Sequence, residues 1–370
     1  MKVAIAGGGT AGHVLPALAL ARALDNDEVM FLGTRSGAEA SLVPDAGRPL
    51  GTIDVRGFDR ARPSSLPATG GRALKAIAQA RAILKRFGPD VVVGMGGYVA
   101  LPSCLAARTL RIPVVLHEQN IVFGLANRVC RRFAAAIAVS FEETLAHAGP
   151  SAVLTGNPVR VEMTHFDKPE ARAEGLERFR LDPARSTLLI FGGSQGAQRV
   201  NRAGIGLTSL WAERNDVQIL HIAGRVEAAT FIEQAEQILG AGEKALVYRV
   251  EGYLQDMIPA YGVADLVLCR GGAGTVAELT AVGLPSIIVP YPYHRDMQQE
   301  RHGRVLERAG AAVVLNDEEA TAERVAKEVE SLLGNRSVLE SMGSAARSIG
   351  RPDAADHLAA VVRRSARRNA

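Results

Sequence analysis

Apolar residues along the chain alternate between two rhythms. Short unbroken runs at 2–6 (KVAIA), 29–32, 91–93, 113–116, 187–191 and 266–269 have the pattern of strands buried on both faces of a parallel sheet. Between them, stretches at 14–24, 72–87 and 199–211 space their apolar residues three and four apart, which predicts helices packed on such sheets. In 72–87 the apolar face carries Ala73, Ala76, Ile77, Ala80, Ile83, Leu84 and Phe87, with basic residues elsewhere. Three more helices are predicted over 321–333, 336–348 and 354–368. Strands alternating with helices imply an α/β protein with parallel sheets.

Glycine-rich turns join strand to helix at GGGTAGH (7–13), GMGGYVALP (94–102), GGSQGA (192–197) and CRGGAGTVAEL (269–279). Such a turn brings bare backbone close to a ligand, and the helix that follows offers unpaired amides and the positive end of its dipole to a phosphate. The second half repeats the plan of the first. GGSQGA answers GGGTAGH, CRGGAGTVAEL answers GMGGYVALP, and VPYPYHRDMQQ answers VVLHEQN. Two doubly wound Rossmann-like sheets in tandem follow from this, with a boundary in LTGNPVR (154–160) that gives domains over 1–160 and 161–344.

Several residues stand out for their chemistry. Thr275 is expected to open the last glycine-turn helix, and with Glu278 it matches the S/T-x-x-E capping box, so Glu278 serves either as a cap or as a ligand group. A polar loop then carries Asp296, Gln298 and Gln299, suited to sugar hydroxyls. His117-Glu118-Gln119-Asn120 lie at the carboxyl edge of the 113–116 strand, where open parallel sheets bind ligands. Gly7, Gly9 and Gly12 also satisfy G-x-G-x-x-G, the dinucleotide fingerprint. The following strand ends without the acidic residue that would hold an NAD ribose, but Arg35 would suit NADP, so a dehydrogenase stays open.

Composition narrows the class. A chain of 370 residues with 47% hydrophobic content is a soluble globular protein with room for two cores. Nothing reaches the ~18 consecutive apolar residues of a membrane span, and the start lacks a signal-peptide layout, so a cytosolic protein is expected. Cys104, Cys130 and Cys269 lie far apart in sequence and predict buried thiols without disulfides or zinc. Charge is uneven: residues 1–160 hold 18 Lys/Arg against 11 Asp/Glu, a net +7, whereas 161–340 hold 19 against 26, a net −7. That asymmetry suggests an anionic partner for the first half, a membrane surface or a nucleic acid.

GGGTAGHVLPALALA, GGYVALP, HEQN followed by Asn127, TGNPVR, GGSQGA, CRGGAGTVAEL and DMQQ, in this order over essentially the whole chain, resemble the MurG family. These are bacterial N-acetylglucosaminyltransferases that convert lipid I to lipid II in peptidoglycan synthesis. The resemblance implies a GT-B fold: two Rossmann-like doubly wound domains facing a cleft, with a C-terminal segment over 345–370 returning to the first. It implies UDP-N-acetylglucosamine on the second domain, a lipid I acceptor and an anionic membrane surface on the first, no nucleic acid, and a peripheral place on the cytoplasmic membrane face.

Residue by residue, the resemblance puts Glu278 on the ribose of UDP. It puts Ser194, Ala273, Gly274 and Thr275 on the diphosphate, Arg160 and Leu254 at the uracil end, and Gln298 and Gln299 on the sugar. Thr10, Gly12 and Asn120 complete the donor set. Thr10, His13, Tyr98, His117, Glu118, Asn120 and Asn127 fall on the acceptor side. His13 is the candidate base, since an imidazole can take a proton near neutral pH. Ala11 and Gly274 depart from the residues common at those points. No DxD motif is present, so no cofactor or metal is expected, and helix N-termini must carry the diphosphate charge. Another UDP-sugar enzyme, such as a 2-epimerase, and a non-catalytic nucleotide-sensing membrane adaptor remain alternatives.

Overall fold

The computed structural model describes residues 1–55, 66–193, 196–240, 244–293 and 296–367. The chain divides into two compact units, Met1–Val161 with Arg351–Ala370, and Glu162–Gly350.

The first unit is built on seven parallel strands: β1 (Lys2–Ala6), β2 (Glu28–Gly33), β3 (Leu50–Thr52), β4 (Val91–Gly94), β5 (Val114–Glu118), β6 (Ala136–Val139) and β7 (Ala152–Leu154). They run in the order β3-β2-β1-β4-β5-β6-β7, which reverses direction between β1 and β4. Alternate side chains go to opposite faces. Val3, Ile5, Val91 and Val93 pack under α1 (Ala11–Ala23) and the C-terminal helix Ala354–Arg367. Ala4, Ala6 and Val92 face the other layer, formed with α3 (Leu66–Phe87) and α4 (Gly97–Thr109). Between α1 and α3 lies α2 (Glu39–Asp45), a short helix that the apolar pattern does not reveal, and after α4 comes α5 (Leu125–Cys130). The C-terminal helix is also tied down by Arg363, whose Nη2 donates to Asp27 Oδ2 at 3.2 Å.

The second unit repeats this plan with six parallel strands: β8 (Ser186–Phe191), β9 (Val217–Ile222), β10 (Val247–Glu251), β11 (Leu266–Cys269), β12 (Ser286–Ile288) and β13 (Ala312–Val314). Their order is β10-β9-β8-β11-β12-β13, so the reversal falls between β8 and β11, as it does between β1 and β4. In each unit the glycine turns emerge from the carboxyl ends of the two strands at the switch point, the usual place for a ligand in an open α/β sheet.

Some expectations need correction. The helix after CRGG spans Ala273–Val282 with Gly272 as its N-cap, so Thr275 is a helical residue and no capping box links it to Glu278. Gln298 and Gln299 are the first two residues of the helix Gln298–Arg308 rather than part of a loop. His117 and Glu118 belong to β5 itself and are buried. On α3, Ala73 is exposed although it was expected on the apolar face, whereas Leu84 on that face is a core residue at 0% exposure and Leu74 outside it stands 70% exposed. The three cysteines are buried free thiols, and folding places Cys104 and Cys130 in one core cluster despite their separation in sequence.

Candidate active site

In the first unit the turns after β1 and β4 press together. A Cβ on Gly97 would lie 2.4 Å from Gly8 O, and one on Gly9 would lie 2.8 Å from the Tyr98 ring, so only glycine allows this approach. A Cβ on Gly96, whose φ is +91°, would sit 2.9 Å from His13 Cδ2. His13 Nδ1 is 3.2 Å from Thr10 Oγ1, the hydroxyl of the residue that caps α1. Burial lowers the His13 pKa and the charge of Glu39 opposes that effect, so the ring is neutral at physiological pH.

Glu39 is a site residue that sequence reasoning missed. It is fully buried at the start of α2. Its Oε2 accepts from Gly9 N at 2.8 Å, and its Oε1 accepts from Thr34 N at 2.8 Å and from Thr34 Oγ1 at 2.7 Å. Burial pushes its pKa up, but the hydrogen bonds from the Gly9, Glu39 and Thr34 backbone and the Thr34 hydroxyl outweigh burial and hold it low. A Cβ on Gly8, Gly33 or Gly37 would fall within 2.5 Å of this side chain. The carboxylate thus fills the space beneath the G-x-G-x-x-G loop and consumes one of its amides. A dinucleotide pyrophosphate would meet a buried negative charge there, which argues against the NADP reading. The signal in the sequence was LGTRSGAE, a glutamate ringed by glycines.

His13, Tyr98, His117, Glu118, Asn120 and Asn127 line one cavity of about 600 Å³ within this unit. Apolar side chains line it as well, namely Val55, Ala73, Ile77, Leu101, Leu105 and Leu125, together with Arg72. Glu118 organises the polar part of the lining. Its Oε1 accepts from Asn120 N at 3.1 Å and Asn120 Nδ2 at 3.2 Å, and its Oε2 accepts from Gly124 N at 2.9 Å and Asn127 Nδ2 at 3.0 Å. Even so, burial raises its pKa. Those four bonds fold the 118–127 segment around the carboxylate, so Glu118 is occupied in holding the wall of the cavity.

His117 Nε2 lies 3.1 Å from Gly156 O, and a carbonyl only accepts, so Nε2 carries the proton and Nδ1 is a bare acceptor. Burial pushes the His117 pKa down to about 4, with the Gly156 bond opposing it and the nearby His13 adding to it. Asn127 Nδ2 also donates to His117 O at 2.9 Å, which fixes Oδ1 as an acceptor. Both His117 Nδ1 and Asn127 Oδ1 are buried without a hydrogen-bond partner. A ligand in this cavity satisfies them by donating, as a sugar hydroxyl or an amide N–H does.

Arg160 closes the same unit in sequence and is half-buried, and Gly12 lies exposed in the first turn of α1. Leu254, Ala273, Gly274, Thr275, Glu278, Gln298 and Gln299 belong to the second unit. There the turn 271–272 is held from below, because a Cβ on Gly271 would lie 2.4 Å from Gln299 O and His302 Nδ1 donates to Gly271 O at 2.9 Å. Gln299 Oε1 accepts from Tyr291 N at 2.9 Å, tying the preceding loop to the helix start. A Cβ on Gly274 would meet nothing within 4 Å, so the backbone there does not require glycine for lack of space. Leu254 is buried beyond the end of β10. Glu278 is half-buried on the helix Ala273–Val282, and its Oε2 accepts from Tyr261 Oη at 2.6 Å. Tyr261 too escaped the sequence reading. Ser194 lies outside the described residues.

The glycosyltransferase family 28 N-terminal domain profile matches residues 3–139, and its C-terminal domain profile matches 187–358. Two relatives named as UDP-N-acetylglucosamine–N-acetylmuramyl-(pentapeptide) pyrophosphoryl-undecaprenol N-acetylglucosamine transferase align over almost the full length of both chains. The one from Desulfitobacterium hafniense is 39% identical over 98% of this chain and 98% of its own, and the one from Nocardioides is 41% identical over 98% and 97%. The chain belongs to the MurG family. The crystal structure of Acinetobacter baumannii MurG is similar over 98% of this chain and 99% of its own, with a TM-score of 0.76 and 31% identity. A UDP-GlcNAc 2-epimerase from Neisseria meningitidis aligns with a TM-score of 0.68 over 98% of this chain and 100% of its own, but at 14% identity it shares the fold alone. As in other MurG-family members, the fold is GT-B, with family 28 N- and C-terminal domains.

Proposed function

We propose that the protein transfers N-acetylglucosamine from UDP-N-acetylglucosamine to the 4-hydroxyl of the MurNAc of lipid I, forming lipid II. The observation that carries this reading is the full-length likeness, at 39–41% identity, to transferases of that name. The acceptor hydroxyl attacks the anomeric carbon from the face opposite UDP, the C–O bond to the diphosphate breaks with both electrons, and the configuration inverts. His13, neutral beside Thr10, takes the hydroxyl proton. In the acceptor cavity, His117 Nδ1 and Asn127 Oδ1 accept from the sugar, and Asn120 and Tyr98 complete the polar wall. Thr10 and Gly12, in the cap and first turn of α1, help bind the substrate phosphates.

On the donor unit, the N-terminus of the helix Ala273–Val282, with Ala273, Gly274 and Thr275, receives the departing diphosphate together with Ser194. Glu278 bonds the ribose, Gln298 and Gln299 the sugar, and Leu254 and Arg160 the uracil end. Because lipid I cannot leave the bilayer, the first unit works at the cytoplasmic membrane face. Among the described residues no helix is long and apolar enough to cross a membrane. Contact falls instead to α3, where Arg72, Lys75, Arg81, Lys85 and Arg86 are exposed beside Leu74, while Ile77 and Phe87 are partly covered.

Incubating the protein with UDP-N-acetylglucosamine and lipid I tests this reading, with lipid II as the expected product. Conversion of the donor to UDP-N-acetylmannosamine instead would establish an epimerase, and donor binding without turnover would establish a sensor.

A further inference from the structure

Tyr261 is among the largest side chains buried without any exposure, and packing alone would be served by phenylalanine. Its hydroxyl reaches Glu278 Oε2 at 2.6 Å, a short charge-assisted bond. The ring stands edge-on to Phe191, with centroids 6.2 Å apart and planes at 61°. Phe191 ends β8 and leads into the Gly192-Gly193 turn. One side chain therefore touches the strand end before one glycine turn and the helix after another.

The backbone carrying it has little room to move. A Cβ on Gly262 would lie 2.3 Å from the Ala171 carbonyl carbon, and one on Gly175 would lie 2.2 Å from Pro259 O. The helix Ile258–Val263 is thus pressed backbone to backbone on the helix Lys168–Phe179. Tyr261 stands on a fixed base, whereas glutamate is a flexible side chain that loses rotamer freedom when a ligand orders it.

We infer that Tyr261 is a positioning residue for the donor: its phenol holds the Glu278 carboxylate in the rotamer that receives the ribose hydroxyls of a uridine nucleotide. This rests on the ribose role of Glu278. Tyr261 itself touches no substrate. Its effect is on donor affinity and on the demand for a ribose rather than a deoxyribose.

The test is Tyr261→Phe, which removes one oxygen and keeps the ring against Phe191. Steady-state kinetics are measured with UDP-N-acetylglucosamine and with its 2′-deoxyuridine counterpart, beside Tm, and Glu278→Gln is run in parallel. Tyr261→Phe is expected to raise the KM for the ribose donor roughly tenfold, the scale for losing a hydrogen bond to a charged group. Its kcat should stay within about twofold of wild type, and the preference for the ribose donor should fall with the rise in KM. A purely packing role would move Tm and leave the preference intact. If Tyr261→Phe keeps the wild-type preference while Glu278→Gln loses it, the inference about Tyr261 is overturned. If Glu278→Gln also keeps it, the ribose reading beneath the inference falls as well.

Discussion

The two units present the same sequence layout, strand, glycine turn and helix, and each sets a glutamate beside a turn, yet the two carboxylates do opposite things. Glu39 in the first unit points inward, is fully buried, and binds Gly9 N and Thr34. Glu278 in the second unit lies on the helix, half-buried, and is gripped from below by Tyr261. A glycine-rich turn is therefore no more than an opportunity. Where a buried carboxylate takes part of the loop's donor capacity, the loop becomes a rigid mount for the side chain that follows it, here His13. Where the carboxylate stands on the helix, the turn and helix start remain available to an anion and the glutamate to hydroxyls.

The largest effect should come from the side chain that the first loop mounts. His13→Ala is expected to lower kcat roughly 10²-fold or more, the contribution of a general base, with a smaller change in acceptor KM. Initial rates at saturating donor would show it, and a change confined to acceptor KM would move the base elsewhere.

Removing the mount should cost stability first. Glu39→Ala strands the donors of Gly9 and Thr34 and is expected to destabilise the first unit by about 2 to 4 kcal/mol, measured by denaturant unfolding. The milder Glu39→Gln separates charge from shape. Because the Glu39 charge raises the His13 pKa, its loss lowers that pKa further, and the acid limb of the kcat profile should move to lower pH. For stability the sign is that of a depressed carboxylate. The stabilisation by Glu39 is fully present above its unfolded pKa and is lost as pH falls through the lower folded one. The Tm gap between wild type and Glu39→Gln should accordingly close in acid, and a gap independent of pH would contradict the assignment.

On the donor side the expectation is smaller and lies in binding. Glu278→Ala should weaken UDP-N-acetylglucosamine binding by on the order of 1 to 3 kcal/mol in calorimetric titration. It also removes one hydrogen bond of the buried Tyr261 hydroxyl, so Tm should fall. Adding Tyr261→Phe should restore part of the Tm and none of the affinity, whereas recovery of both would make Glu278 only a structural partner of Tyr261.

The smallest effect concerns where the first unit rests. Charge reversal at Lys75, Lys85 and Arg86, all exposed on α3, should reduce co-sedimentation with anionic vesicles, at ~1 kcal/mol for each basic residue near the surface, and should leave Tm nearly unchanged. Leu74→Ser, at 70% exposure, should weaken binding at high salt, where charge is screened. Equal vesicle binding by wild type and the triple variant would place the contact on another face.

Much of this protein was legible as pattern. The buried runs at 2–6, 91–93, 187–191 and 266–269 became β1, β4, β8 and β11, because a strand covered on both faces must be apolar throughout. The repeated glycine turns marked the switch points, because only glycine tolerates the close approach of Gly97 to Gly8. What the sequence could not convey was direction and partnership. Thr275 and Glu278 matched a capping box in spacing, but the helix begins at Ala273, which moves both residues past the cap, and the phenol that holds Glu278 comes from another helix. Ala73 and Ala76 both fell on the expected apolar face of α3, and the packing of the helix on its sheet buried the second and left the first exposed. Glu39 drew no notice in the sequence, because its partners Gly9 and Thr34 reach it only once the ends of β1 and β2 close over it. Periodicity is a local property that each segment carries in itself, whereas the partner of a buried charge is chosen by the fold, which brings together groups 5 and 30 residues apart in Thr34, Gly9 and Glu39.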